Sequence, residues 1–204
     1  MNNRLRILKI TQTAVLAGII LLMAFTPLGY VHAGPVSIAL VTIPVVIGAM
    51  VVGPVCGLVL GLVFGLSSFA QCFGMDFFGT TLFGIHPFLT FVMCVPTRIL
   101  MGWLAGVLFR LFRKADRTRT VCYFAGGLLG ALLNTVFFMA VFISGFFHTE
   151  YVQNLAEGRG ILAFIAFLVG INGLVEMAAC CIIGGGISKI LSRLLKSTSD
   201  GVYL

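Results

Sequence analysis

An all-α, polytopic membrane protein is the fold class this sequence predicts: a bundle of six transmembrane helices with both termini on the cytoplasmic side. Three observations predict it. Of 204 residues, 60% are hydrophobic and 9% charged, with a mean hydropathy of +1.14, and such a chain has too little polar surface to cover a soluble domain. The apolar residues gather into six runs, 7–25, 36–52, 55–73, 87–112, 120–143 and 161–188, which together read as one integral membrane domain over 1–204. The Lys and Arg residues sort to the ends of those runs: Arg4, Arg6 and Lys9 before the first, Arg110, Arg113, Lys114, Arg117 and Arg119 after the fourth, Lys189, Arg193 and Lys196 after the sixth. On an even-span topology these all share one side, which the positive-inside rule makes the cytoplasm. Arg159 falls outside and Arg98 within a span. The net charge of +7 is therefore a topology signal, not the basic face of a nucleic-acid binder.

The first run follows Arg4, Arg6 and Lys9, and Val31-His32-Ala33 imitates a secretory cleavage site, but the polar gap from Thr26 to Ala33 is long for one. A first membrane helix is expected instead. Its Ala14 and Gly18 form a small-residue patch that either packs inside the bundle or docks another subunit. The loop Thr26 to Pro35 stops the helix with Pro27, Gly29, Gly34 and Pro35, and presents Tyr30 and His32 either as ordinary loop residues or as a lid over a binding site. Gly53 and Pro54 make a tight hairpin between the second and third runs, and Pro44 is expected to kink the second. Gly57, Gly61 and Gly65 form a stripe for close helix approach. Gly74 to His86 reads as an outer loop.

Polar residues inside the spans carry the functional argument. Asn172 and Glu176 sit four apart on one helix face. At ~1.5 Å per residue, Asn172 lies roughly 16 Å below Ile161, about half of a ~30 Å hydrocarbon core. Arg98 lies at the same depth below Pro87, two residues after a helix-interrupting Pro96, and Asn134 with Thr135 lies roughly 14 Å below the outer end of the fifth span. Three helices thus place polar groups at one height. An ion pair between Arg98 and Glu176 that merely holds helices together is one account; a small-ligand pocket is the other. Arginine at mid-bilayer costs about 3 kcal/mol even on a lenient scale, which favours the pocket.

Enzyme and motor signatures are missing. No G-x-S-x-G, H-E-x-x-H or D-x-D pattern occurs, and Gly184-Gly185-Gly186-Ile187-Ser188-Lys189 lacks phosphate-loop spacing. The six cysteines have no metal-site spacing and read as small core residues. No cofactor or metal is expected.

The six-span layout, the Ala14 and Gly18 pair, the loop LGYVHAGPVSI, the hairpin VVGPVCGLVLG, the PTRILMG run around Arg98 and INGLVE around Asn172 and Glu176 together resemble the S component, the substrate-binding membrane subunit, of energy-coupling factor (ECF) vitamin transporters. Within that family the resemblance is to the pantothenate-type members. It implies a non-enzymatic subunit of a bacterial cell membrane that captures a vitamin from outside, between the last three helices and under the first loop. Uptake would be driven by a partner T component and two ABC-type ATPases. Ala14 and Gly18 would dock the T component, with Gly in place of the second Ala of the family motif. Arg98 would meet the pantothenate carboxylate, and Asn134, Asn172 and Glu176 its hydroxyls and amide, with Tyr30 and His32 above. Alternatives are another small vitamin, pyridoxine-like or other, an intramembrane enzyme using Glu176 as a base, and a purely structural subunit.

Overall fold

The computed structural model describes residues 3–26, 29–32, 37–116, 120–156, 170 and 173–200. Five helices there are long and apolar enough to cross a membrane, and a sixth is shorter. The first, α1 (Asn3–Ala24), is basic at its start, with Arg6 and Lys9, and apolar on every side from Ala14 onward. Ile7, Ile10, Val15 and Leu22 are exposed, as suits a helix that meets lipid on most of its circumference. A short antiparallel hairpin follows, β1 (Tyr30–His32) and β2 (Ser37–Ala39), with Val31 opposite Ile38.

The second expected span is only half helix. Helix α2 is Thr42–Val51, which at ~1.5 Å per residue is about 15 Å, half a hydrocarbon core. The residues before it belong to the hairpin. Pro44 therefore falls in the first helical turn, where its missing N–H is not needed, and it does not kink a longer helix as the sequence led us to expect. Residues Thr42 to Met50 are all buried. Gly53, with φ of 129°, then reverses the chain into α3 (Pro54–Gln71), as the tight hairpin requires.

Residues 74–86 are not a loop, correcting the second expectation. Asp76 caps α4 (Phe77–Ile85), its Oδ2 accepting from the Gly79 N–H at 2.7 Å. Helix α5 (Pro87–Ala115) runs through Pro96, and α6 (Val121–Phe146) leads to the short α7 (Glu150–Ala156). The last helix, α8, is described from Gly173, spans an apolar stretch to Leu194 and continues helical to Asp200. It contains one π-helical turn, Cys180–Gly184.

Helices α3 and α5 make the most extensive contact, and the glycine stripe explains it. A Cβ on Gly57 or Gly61 would overlap the backbone oxygens of Gly102 and Arg98, and one on Gly65 would come 2.8 Å from Val95 Cα. The two backbones touch directly, so the position of Arg98 is set by packing. Gly127 and Gly185 play the same part between α6 and α8. Phenylalanines of α4 and α6, with Leu82, Met93 and Val152, form an apolar cluster.

Candidate functional site

Between α3, α5, α6 and α8 lies a cavity of about 120 Å³ accessible to the centre of a water molecule. Its roof comes from the short elements: Tyr30 of β1, Ala39 of β2, Asp76, and Phe78 with Gly79 of α4. Its wall carries Arg98, Asn134, Thr135 and Glu176, so residues chosen from sequence for their common depth do line one chamber. The Gly53 turn sits beside Arg110, a Cβ there reaching to 2.7 Å from Nη2, which places the α2–α3 turn with the basic end of α5. The cavity lies at the opposite end of α3, against Ser68, Gln71 and Cys72.

Arg98 is 7% exposed. Its guanidinium carbon lies 5.2 Å from the Phe64 ring centroid and 5.5 Å from that of Phe138, two cation–π contacts from α3 and α6. Its Nη1 donates to the Met93 carbonyl at 2.5 Å and to Thr97 Oγ1 at 3.4 Å. Pro96 has no N–H, so the Val92 carbonyl four residues back loses its α-helical donor, while the Met93 carbonyl also accepts from the Thr97 hydroxyl. The nearby arginine uses this carbonyl itself. The Nε has no partner among the described residues.

Glu176 is held by different groups. Its Oε1 accepts from Thr42 Oγ1 at 2.8 Å and from Asn134 Nδ2 at 2.9 Å, which ties the first turn of α2, the middle of α6 and α8 to one oxygen. Acid and guanidinium thus line the same cavity, each with its own partners. The Tyr30 phenol is buried beside Ser68 and makes no hydrogen bond with it. Burial pushes its pKa up to about 12, against a smaller lowering by the positive charge of Arg98.

Two of the residues expected at a site escape this description. Asn172 lies outside the described residues, and His32 is placed only as a backbone position in β1 paired with Ser37. Thr42, Gln71, Asp76, Phe64 and Phe138 were not foreseen. Only Asp76 had a sequence signal, as a capping residue ahead of the apolar stretch FFGTTLFGI. Ala14 and Gly18 lie on the exposed side of α1, and a Cβ on Gly18 would meet nothing within 4 Å. Among the described residues the patch does not serve internal packing.

The described residues thus make a multi-pass membrane bundle around a charged, partly roofed chamber. The family model described as ECF transporter, substrate-specific component, matches residues 8–184, and the chain belongs to that family. No curated protein matches the sequence. Substrate-specific components are transport subunits, not enzymes; they bind small vitamins and work with a T component and ATPases. Catalysis by Glu176 is thereby set aside.

Proposed function

We propose that this chain captures pantothenate for an ECF importer of a bacterial cell membrane, with six crossings, both termini cytoplasmic and the cavity facing outward. The observation that carries the reading is Arg98: a guanidinium gripped by two aromatic rings, its Nε unpaired among the described residues, on the wall of a cavity that also holds Asn134, Glu176 and Tyr30. A planar cation so fixed suits a carboxylate, and the amide and acid suit hydroxyl and amide groups. Asn172 and His32 complete the proposed set. The exposed Ala14 and Gly18 offer the T component a close-approach surface.

Titration calorimetry on purified protein without ATP tests the anchor. Arg98→Ala should weaken pantothenate binding by about 2 kcal/mol or more, roughly 30-fold, and Arg98→Lys, which keeps charge but loses the fork, should recover only part. Equal affinity of wild type and Arg98→Ala would remove Arg98 from the site. One observation favours a second ligand: the lining has two carboxyl groups, Asp76 and Glu176, against one guanidinium, which suits an uncharged or pyridoxine-like vitamin. Competition by a panel of vitamins against bound pantothenate separates the two, since the tighter competitor names the substrate.

A further inference from the structure

Among the described cysteines, Cys72 and Cys94 stand apart. They lie 22 residues apart in sequence, yet their sulfurs are 3.9 Å apart. Both are buried, and both belong to the cavity lining. Cys72 sits at the C-cap of α3 and Cys94 on α5, the two helices locked together by the glycine stripe. Their roles in the local hydrogen bonding differ. The Cys72 thiol is directed at the Ser68 carbonyl, 3.4 Å away, whereas Cys94 Sγ is approached by the Ser68 hydroxyl at 4.0 Å. Cys94 is thus the sulfur that Ser68 approaches as a donor, while the Cys72 thiol points back along its own helix.

A disulfide needs its sulfurs ~2.05 Å apart, so the pair must close by about 1.9 Å. Cys72 has the freedom to do so. It ends its helix, and Gly74 with φ of 113° turns the chain two residues later. Above it lies the cap: a Cβ on Gly79 would stand 2.8 Å from Cys72 Sγ, so the first turn of α4 rests on this sulfur. The pair is at the end of α3 away from Arg110, the side where disulfides persist if the cavity faces outward.

We propose that Cys72 and Cys94 form a modification site for small disulfides, which close the pair into a Cys72–Cys94 bond and fasten the α4 cap over the cavity. The Cys94 thiolate attacks one sulfur of the external disulfide and expels a thiolate. The Cys72 thiolate then attacks Cys94 Sγ of the mixed disulfide and expels the second. The two protons released by the cysteines leave on the two small thiols, so the external disulfide is reduced as the protein pair is oxidised.

The test treats purified wild-type protein in lipid nanodiscs with bis(2-hydroxyethyl) disulfide and reads intact mass, non-reducing peptide maps and hydrogen exchange. Expected are the loss of two hydrogens, a single Cys72–Cys94 crosslink, and slower exchange of the α4 amides than in reduced protein. Cys72→Ser should instead accumulate the mixed disulfide on Cys94. Wild type left reduced, stopped at a mixed disulfide or crosslinked through other cysteines would overturn the site, and unchanged α4 exchange in crosslinked protein would overturn the latch. None of these readouts depends on which vitamin binds.

Discussion

Replacing Glu176 separates what its oxygen atoms do from what its charge does. The Thr42 hydroxyl and the Asn134 amide both donate to Oε1, at 2.8 and 2.9 Å, and all three residues are buried. Glu176→Ala removes the acceptor and leaves two donors unpaired in the bundle. Interhelical hydrogen bonds in membranes average about 0.6 kcal/mol and reach about 1.7. An oxygen shared by two buried donors puts each bond near the top of that range, so the loss should be about 2–3 kcal/mol. Glu176→Gln keeps an oxygen at the same reach and should cost under about 1 kcal/mol. Reversible unfolding in mixed micelles, following helix signal against denaturing detergent fraction, measures both. Equal stability of Glu176→Ala and wild type would refute the three-helix junction, whereas equal losses for the two variants would show that charge, not the shared acceptor, holds it.

Gly61→Leu forces a side chain into the Arg98 backbone; it should cost more than about 3 kcal/mol or prevent folding, read as loss of monodisperse protein on size exclusion. Asp76→Ala removes the cap from α4 and should cost about 1 kcal/mol, visible as faster amide exchange confined to 77–85. Tyr30 should titrate near pH 12 instead of 10.0. The phenol stays protonated longer in the folded protein, so its contribution to stability is complete below pH 10, declines as pH rises toward 12 and is lost beyond it. Ultraviolet difference titration of wild type against Tyr30→Phe checks the value. Gly18→Leu has open space around it, so it should leave stability and vitamin binding unchanged while abolishing co-purification with the T component.

The polar layer was legible in the sequence because ionisable groups are scarce inside membrane spans, and helix rise alone sets their depth. Which group each one meets was not, because that depends on helix rotation. Whether Arg98 pairs with Glu176 was left open by the sequence; in the structure the guanidinium lies between Phe64 and Phe138 and the acid is bonded to Thr42 and Asn134. The glycine stripe was legible for a comparable reason: four-residue spacing fixes a face, and packing against α5 followed. Residues 36–52 misled because an apolar run has the same hydropathy whether it is helix or hairpin, and the position of Pro44 has no meaning until the helix start is known. The Gly and Thr of α4 argue against a helix by propensity; its cap and the burial of Phe78 and Leu82 prevail.

The shortness of α2 gives the molecule a division of labour. A full-length helix in that place would run a rigid rod past the cavity. Instead the strands lead into the buried helical stub and bring Tyr30 and Ala39 to the cavity lining, so substitutions there can reshape the chamber while leaving the glycine-locked scaffold untouched. The strand residues are accordingly the part of the lining that can vary at least cost to the helix packing.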